Sequence, residues 1–230
     1  MGSVTSTPTS RWTRSLTGIA AAATLLLAAC AGSDDAADSS VDGAEQPAAE
    51  SVDADTVALV QTAPVAITGE PLPPYSDPQN DPAVGMSSPV LAGVSFDGSP
   101  VVIGEPTENA TLVVFLAHWC PACNAEVPEL VELADTDAVP AGVDVVGVST
   151  AVTEDRDNFP PSEWFDDQGW PFTVMADSAD AVALDAVGAT AFPFLVVLDT
   201  DGTVLARKAG QSTGAETLEF LDAALAPAGA

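Results

Sequence analysis

Basic side chains are scarce in this sequence, in which five Lys and Arg stand against 34 Asp and Glu and give a formal net charge of -29. Binding to nucleic acid needs a basic surface that displaces counterions from phosphates, so the sequence predicts no nucleic-acid partner. Aromatic residues are also sparse, at 6%, yet the hydrophobic fraction of 47% is ordinary for a globular protein.

Cysteine and histidine are the next scarce types, with three cysteines and one histidine in 230 residues. Three cysteines are too few for a disulfide scaffold or for a four-thiolate zinc site. Half a zinc ribbon at Cys120 and Cys123 would have only Cys30 and His118 to complete it. We therefore expect no resident metal and no cofactor.

The first 29 residues have the pattern of a secretory signal peptide. Arg11 and Arg14 precede an apolar run over residues 16–29, which is shorter than the roughly 20 residues that span a bilayer. Leu-Ala-Ala-Cys at residues 27–30 resembles the lipobox of bacterial lipoproteins. The resemblance implies that Cys30 carries lipid and holds the mature chain on a membrane outside the cytoplasm. The alternative is an ordinary signal peptide with an incidental Cys30.

Residues 30–83 are expected to form an acidic, proline-rich, disordered tether. Residues 31–55 carry eight acidic side chains and no basic one, a composition that cannot bury enough apolar surface to fold. Residues 56–68 are more apolar and could add a short strand, whereas the five prolines of residues 69–82 forbid regular structure. The compact domain is therefore predicted to cover residues 84–230.

The chemistry is concentrated in a Cys-x-x-Cys motif between a strand and a helix. Residues 111–117 form an apolar, β-branched run typical of a buried strand, and residues 124–133 have the apolar spacing of a helix. The N–H groups and dipole at the start of a helix stabilise a thiolate, which favours Cys120 as the nucleophile. Cys123 is close enough to form a disulfide with it, and Pro121 suits a first helical turn. A purely structural disulfide would close too short a loop to stabilise much.

These residues resemble a known family. Trp-Cys-Pro-Ala-Cys at residues 119–123, after a buried strand, resembles the thioredoxin fold and the extracytoplasmic TlpA/ResA-like redoxins in particular. Residues 126–130 are similar to that family's Glu-x-Pro-x-Leu, and residues 190–194 to its proline segment before a strand. The resemblance, over residues 84–226, implies an α/β fold, a thioredoxin-like three-layer α/β/α sandwich with a central mixed sheet and an N-terminal β-hairpin extension.

The resemblance also implies roles for individual residues. Cys120 and Cys123 would be catalytic, and Pro193 would follow a cis peptide bond and pack against the disulfide, the alternative being a turn proline at a strand start. The backbone of the residue before that proline would pair with the client peptide. The residues expected to contact the client are Trp119, Pro121, Ala122 and Phe192.

Two positions near the motif carry open alternatives. Thioredoxins have a buried Asp six positions before the first cysteine, where this chain has Val114. Glu126, one helical turn after Cys123, is either an acid/base substitute for that Asp or a solvated helix residue. His118 either tunes the site or forms its exposed flank. The residues expected to contribute only packing are Trp164, Phe165 and Trp170.

The predicted function is disulfide exchange with client proteins through the Cys-x-x-Cys pair, with reduction favoured over oxidation. The resemblance suggests apocytochrome c or metallochaperone thiols as clients, electrons from a membrane thiol shuttle, and a monomer. One alternative is a peroxiredoxin-like peroxidase, although no Thr-x-x precedes Cys120 and no arginine is near it in sequence. The other is a copper protein that uses Cys120, Cys123 and His118.

Overall fold

The computed structural model describes residues 59–226. The strands of this region are β1 (Ala66–Thr68), β2 (Val90–Val94), β3 (Pro100–Ile103), β4 (Ala110–Leu116), β5 (Val143–Ser149), β6 (Thr173–Ala176), β7 (Phe194–Leu198) and β8 (Val204–Ala209). The helices are α1 (Pro121–Asp135), α2 (Pro161–Asp167), α3 (Val182–Ala186) and α4 (Gly214–Leu225).

All these strands belong to one mixed sheet. Its order is β1-β2-β6-β5-β4-β7-β8, with β3 paired to β2. Strands β4, β5 and β6 run parallel to one another, whereas β7, β8 and the β2–β3 hairpin pair antiparallel. The central mixed sheet and the N-terminal hairpin predicted from the sequence are thus confirmed.

Strand β4 divides the hydrophobic core into two clusters because successive strand residues point to opposite faces of a sheet. Leu112, Val114 and Leu116 pack with residues of α1, α2 and α4. Val113 and Phe115 pack with residues of α3 and of the hairpin on the other face. Helices therefore cover both faces, which confirms the three-layer α/β/α sandwich.

Residues 69–83, which precede the hairpin, pack onto the sandwich. The compact domain predicted to start at Val84 therefore begins earlier in the structure. Leu72 is 3% exposed, and its N–H donates to the Ala186 carbonyl at 2.9 Å. Asp81 pairs with the buried guanidinium of Arg207, which also donates to the carbonyl of Pro73 at 2.9 Å. The prolines of this segment prevent helix and strand, but its backbone still finds partners on α3 and β8.

The predicted signal peptide, Cys30 and the part of the predicted tether before Leu59 lie outside the described residues. Within residues 59–226, no helix has both the length and the apolar character needed to cross a bilayer.

Candidate active site

The two cysteines of the motif lie at the N-terminal end of α1. Cys120 caps the helix with extended backbone (φ -78°, ψ 119°), and its Sγ accepts a hydrogen bond from the Cys123 N–H at 3.4 Å. Cys120 is 7% exposed and Cys123 is fully buried, and both are free thiols. Cys120 is therefore the less buried of the two cysteines, and a backbone donor is already directed at its sulfur.

Burial governs the chemistry of Cys123. Loss of solvation raises the pKa of this thiol far above its ordinary value, and contacts with Cys120 and the charge of Glu126 raise the pKa further. The side chain therefore keeps its proton at neutral pH. Any reaction in which Cys123 acts as a nucleophile needs a nearby group that accepts this proton.

Glu126 is a candidate for that acceptor. It is fully buried in α1, so the alternative of a solvated helix residue is wrong. Burial raises its pKa to about 7, although the Ser212 N–H, which donates to Oε2 at 2.9 Å, and the charge of Lys208 act in the opposite direction. A carboxyl group with this pKa is present in both protonation states near neutral pH.

Val114 leaves the sheet side of the site apolar. This residue is fully buried in β4 and belongs to the same hydrophobic cluster as Cys120 and Cys123. Strand β4 therefore offers the cysteines no carboxylate.

His118 departs from the expected exposed flank, because it is only 1% exposed. Its Nδ1 lies 2.8 Å from the Asp157 carbonyl, and its Nε2 accepts from the Thr153 N–H at 3.3 Å. These partners require a neutral ring with the proton on Nδ1, in agreement with a pKa lowered by burial. Both ring nitrogens are thus occupied. The residues the structure describes contain no group of three or more His, Cys, Asp and Glu placed to hold a metal.

Residues 151–160, here called the clamp segment, are hydrogen-bonded to the residues around the start of α1, and the Asn124 side chain takes part in this network. Asn124 donates through Nδ2 to the carbonyl of His118 at 3.0 Å. Its Oδ1 accepts from Trp164 Nε1 at 2.9 Å and from Asn158 Nδ2 at 3.2 Å. Asn158 also donates to the His118 carbonyl at 2.8 Å. No sequence pattern predicts this role of Asn124, since Asn158 and Trp164 are distant from it along the chain.

An aromatic surface lies beside Cys120. Trp119 is half-buried, donates from Nε1 to the Ala151 carbonyl at 2.8 Å, and meets the ring of Phe192 edge-on with centroids 5.9 Å apart. The guanidinium of Arg156, in the exposed part of the clamp segment, lies 4.9 Å from the centre of the Trp119 ring. The fold thus places Arg156, which is distant from Cys120 in the sequence, beside the site.

The predicted proline segment faces the same area. The Phe192–Pro193 peptide bond is cis, and Phe192 packs against the cluster that contains both cysteines. Within residues 59–226, no hydrogen-bond partner contacts the backbone N–H or C=O of Phe192. Pro121 is exposed and Ala122 is half-buried at the adjoining end of α1.

Comparison with known proteins agrees with this geometry. The thiol:disulfide interchange protein DsbE homolog of Paracoccus denitrificans is 32% identical over 130 residues, which cover 55% of this chain and 66% of that protein. The thiol:disulfide interchange protein HelX of Rhodobacter capsulatus is 31% identical over 116 residues, covering 50% of this chain and 60% of that protein. The chain thus spans less than two thirds of the length of either relative.

A solved structure and a family profile complete the comparison. The crystal structure of StoA from Bacillus subtilis superposes with a TM-score of 0.50 at 21% identity, covering 61% of this chain and 99% of that one, which shows the shared fold. The sequence profile of the Redoxin family matches residues 68–225. Because that match includes well over half of the chain, the protein belongs to the Redoxin family.

Proposed function

We propose that this protein is a membrane-tethered thiol–disulfide oxidoreductase that acts outside the cytoplasm and reduces disulfides of client proteins. The observation that carries the proposal is the arrangement of three side chains on α1. Cys120, at 7% exposure, caps the start of the helix, Cys123 is fully buried behind it, and Glu126 is buried one turn further along. The two relatives, both named thiol:disulfide interchange proteins, support the same class of reaction.

The reaction begins at Cys120. Its thiolate attacks one sulfur of a client disulfide, the client S–S bond breaks, and the electron pair leaves with the second client sulfur, which takes a proton from solvent. The product is a mixed disulfide between Cys120 and the client. The N–H of Cys123, 3.4 Å from the Cys120 sulfur, stabilises the attacking thiolate.

Cys123 then resolves the mixed disulfide. Its thiol proton passes to the Glu126 carboxylate, and its sulfur attacks Cys120. The bond from Cys120 to the client breaks, and its electron pair leaves with the client sulfur, which takes a proton from solvent. The client leaves with two reduced sulfurs, and the protein has lost two electrons and holds a Cys120–Cys123 disulfide. A dithiol of a membrane electron shuttle returns the two electrons and completes the cycle.

The client peptide binds across the surface formed by Trp119 and Phe192. The unpaired backbone N–H and C=O of Phe192 suit pairing with an extended peptide. Pro121 and Ala122 border this surface and are small enough to let a peptide approach Cys120. Proteins with paired thiols, such as apocytochrome c or metallochaperones, are the proposed clients.

The location follows from residues 1–30. A lipid on the Cys30 sulfur after removal of residues 1–29 anchors the protein, and the acidic residues that follow keep the folded domain away from the membrane. Replacement of Cys30 by Ser should release the protein from membrane fractions and leave its reduction potential unchanged. Retention of that variant on membranes would refute the lipid anchor.

Trapping experiments test the exchange reaction. Cys123→Ser should accumulate mixed disulfides with clients because the resolving thiol is gone, and Cys120→Ser, the matched control, should not. The reduction potential of the wild-type pair, measured against glutathione or dithiothreitol, should lie closer to that of thioredoxin than to that of DsbA. Failure of the pair to form a disulfide would refute the proposal, and rapid peroxide consumption by Cys123→Ser would favour a peroxidase instead.

A further inference from the structure

Three buried polar atoms without a protein partner lie around the start of α4. They are Glu126 Oε1, Ser212 Oγ and Thr217 Oγ1, and they make up three of the four buried side-chain atoms in residues 59–226 that lack a hydrogen bond. Their residues are at most 1% exposed. Buried polar atoms are nearly always paired with protein or with ordered water, so such a concentration calls for a partner.

The geometry of the helix cap brings these atoms together. Thr213 is the N-cap of α4, which makes Ser212 the residue before the cap and Thr217 the fourth residue of the helix. Side chains at these two positions pack against each other, usually as an apolar pair. Here both are hydroxyl residues, and the N–H of Ser212 donates to Glu126 Oε2 at 2.9 Å. The hydroxyl pair therefore adjoins the carboxyl group of Glu126.

We infer that a water molecule binds between Glu126, Ser212 and Thr217 and carries the proton between the Glu126 carboxyl group and solvent. A buried water typically makes about three hydrogen bonds to polar groups that otherwise lack partners, which is the number of atoms available here. Ser212 and Thr217 thereby act as positioning residues, because they hold the water and do not touch the client. This role rests on the proposed function of Glu126 as the proton acceptor for Cys123.

The charged groups around Glu126 fit such a route. Cys123 lies on the inner side in α1, and its pKa responds to the charge of Glu126. Lys208 of β8 favours the ionised carboxylate, whereas Glu216 of α4 opposes it. Lys208 is partly exposed and Glu216 is exposed, so residues that reach solvent act on the buried carboxyl group. In the resolving step, the proton moves from Cys123 to Glu126, then to the water and out, and no further reactant is consumed.

The titration of Glu126 in the reduced full-length protein tests the inference, measured by the ¹³C NMR shift of its side-chain carboxyl carbon. Thr217→Val and Ser212→Ala should each raise the midpoint by about 0.5 to 1 pH unit, because the ionised carboxylate loses a donor held in place by the hydroxyl. Thr217→Ser keeps a hydroxyl, so its midpoint should equal that of the wild type. Ser88→Ala, which removes a buried hydroxyl bonded to the Pro89 carbonyl, is the matched control and should not shift it.

Unchanged midpoints in both variants would overturn the inference, since hydroxyls that hold no water can be replaced without effect on the carboxyl group. A high-resolution crystal structure should show one water within hydrogen-bonding distance of the three atoms, and a dry site would also overturn it. The titration does not need exchange activity. If the Glu126 midpoint shifts as expected in the two variants but the wild-type protein does not exchange disulfides, the proposed function alone is refuted. If the wild-type protein exchanges disulfides but the midpoint does not shift in the variants, the water site alone is refuted.

Discussion

The first turns of α1 have two sides that satisfy their polar groups in different ways. On the clamp side, His118, Asn124 and Asn158 find partners within the protein at 2.8 to 3.3 Å. On the opposite side, Glu126 has one protein partner, and its second oxygen has none among the described residues. A closed network fixes geometry, whereas an open one leaves room for a proton to move. The difference separates the part of the site that holds the cysteines in place from the part that serves their chemistry.

The two sides also respond to pH in opposite directions. Burial lowers the pKa of His118 and raises the pKa of Glu126 to about 7, so the fold favours the neutral form of both. At Glu126 the folded state binds the proton more tightly than the unfolded state, and stability falls as pH rises from 4.5 to 7. At His118 the unfolded state binds the proton more tightly, and stability falls as pH drops below 6.5.

The largest expected effect is that of Glu126→Gln, which removes the titration on the open side. Between pH 4.5, the ordinary pKa of a glutamate, and about pH 7, the free energy of unfolding of the wild type should fall by about 3 kcal/mol, and that of the variant should not show this fall. Urea unfolding at pH 4.5 and pH 8 measures this difference. The variant should also slow resolution of the mixed disulfide, because Cys123 loses its proton acceptor.

A matched control for this variant is Glu129→Gln, on the same helix, which keeps an acceptor for the Gly214 N–H that Glu129 now binds at 2.8 Å. Glu129→Gln should still lose stability between pH 4.5 and 7, as the wild type does. If Glu126→Gln behaves like this control, Glu126 titrates as a solvated carboxyl group and the contrast between the two sides of α1 disappears.

Asn124→Ala tests the closed side and should have the next largest effect. The change leaves Trp164 Nε1 without its acceptor in a residue that is 3% exposed, and it removes the bond to the His118 carbonyl. An unpaired buried donor of this kind should lower the free energy of unfolding by about 2 kcal/mol. Asn80→Ala, which removes an exposed bond to Asp77, is the control and should change stability little. Equal effects of the two variants would show that the network around Asn124 contributes nothing.

His118→Asn sharpens the comparison through its pH dependence and should have a smaller effect. The variant cannot titrate, so the loss of stability that the wild type suffers below pH 6.5 through this ring should be absent from it. Unfolding by urea between pH 5 and 8 measures the difference between variant and wild type. If that difference stays constant over the range, the fold does not lower the pKa of His118 and the ring is not held neutral.

Local patterns predicted strand β4 and the cysteine pair, and the resemblance to the thioredoxin fold predicted the rest of the architecture. The apolar run of β4 and the spacing of Cys120 and Cys123 are short-range features, and the structure has them where they were expected. The environments of His118 and Glu126 were open questions because burial depends on distant segments. His118 is covered by the clamp segment, and Glu126 by the start of α4, and neither contact leaves a periodic signal in the sequence.

Arg156→Ala probes the outer surface of the clamp segment and should have the smallest effect. The guanidinium lies 4.9 Å from the Trp119 ring centre and is exposed, and a cation–π contact of this kind contributes about 0.5 to 1 kcal/mol. The free energy of unfolding should fall by no more than that, and Arg156→Lys should retain part of it. Trp119 fluorescence should change in Arg156→Ala because the cation leaves the ring. If Arg156→Ala lowers the free energy of unfolding as much as Asn124→Ala does, the exposed face of the clamp segment holds it in place as strongly as the inner network of His118, Asn124 and Asn158.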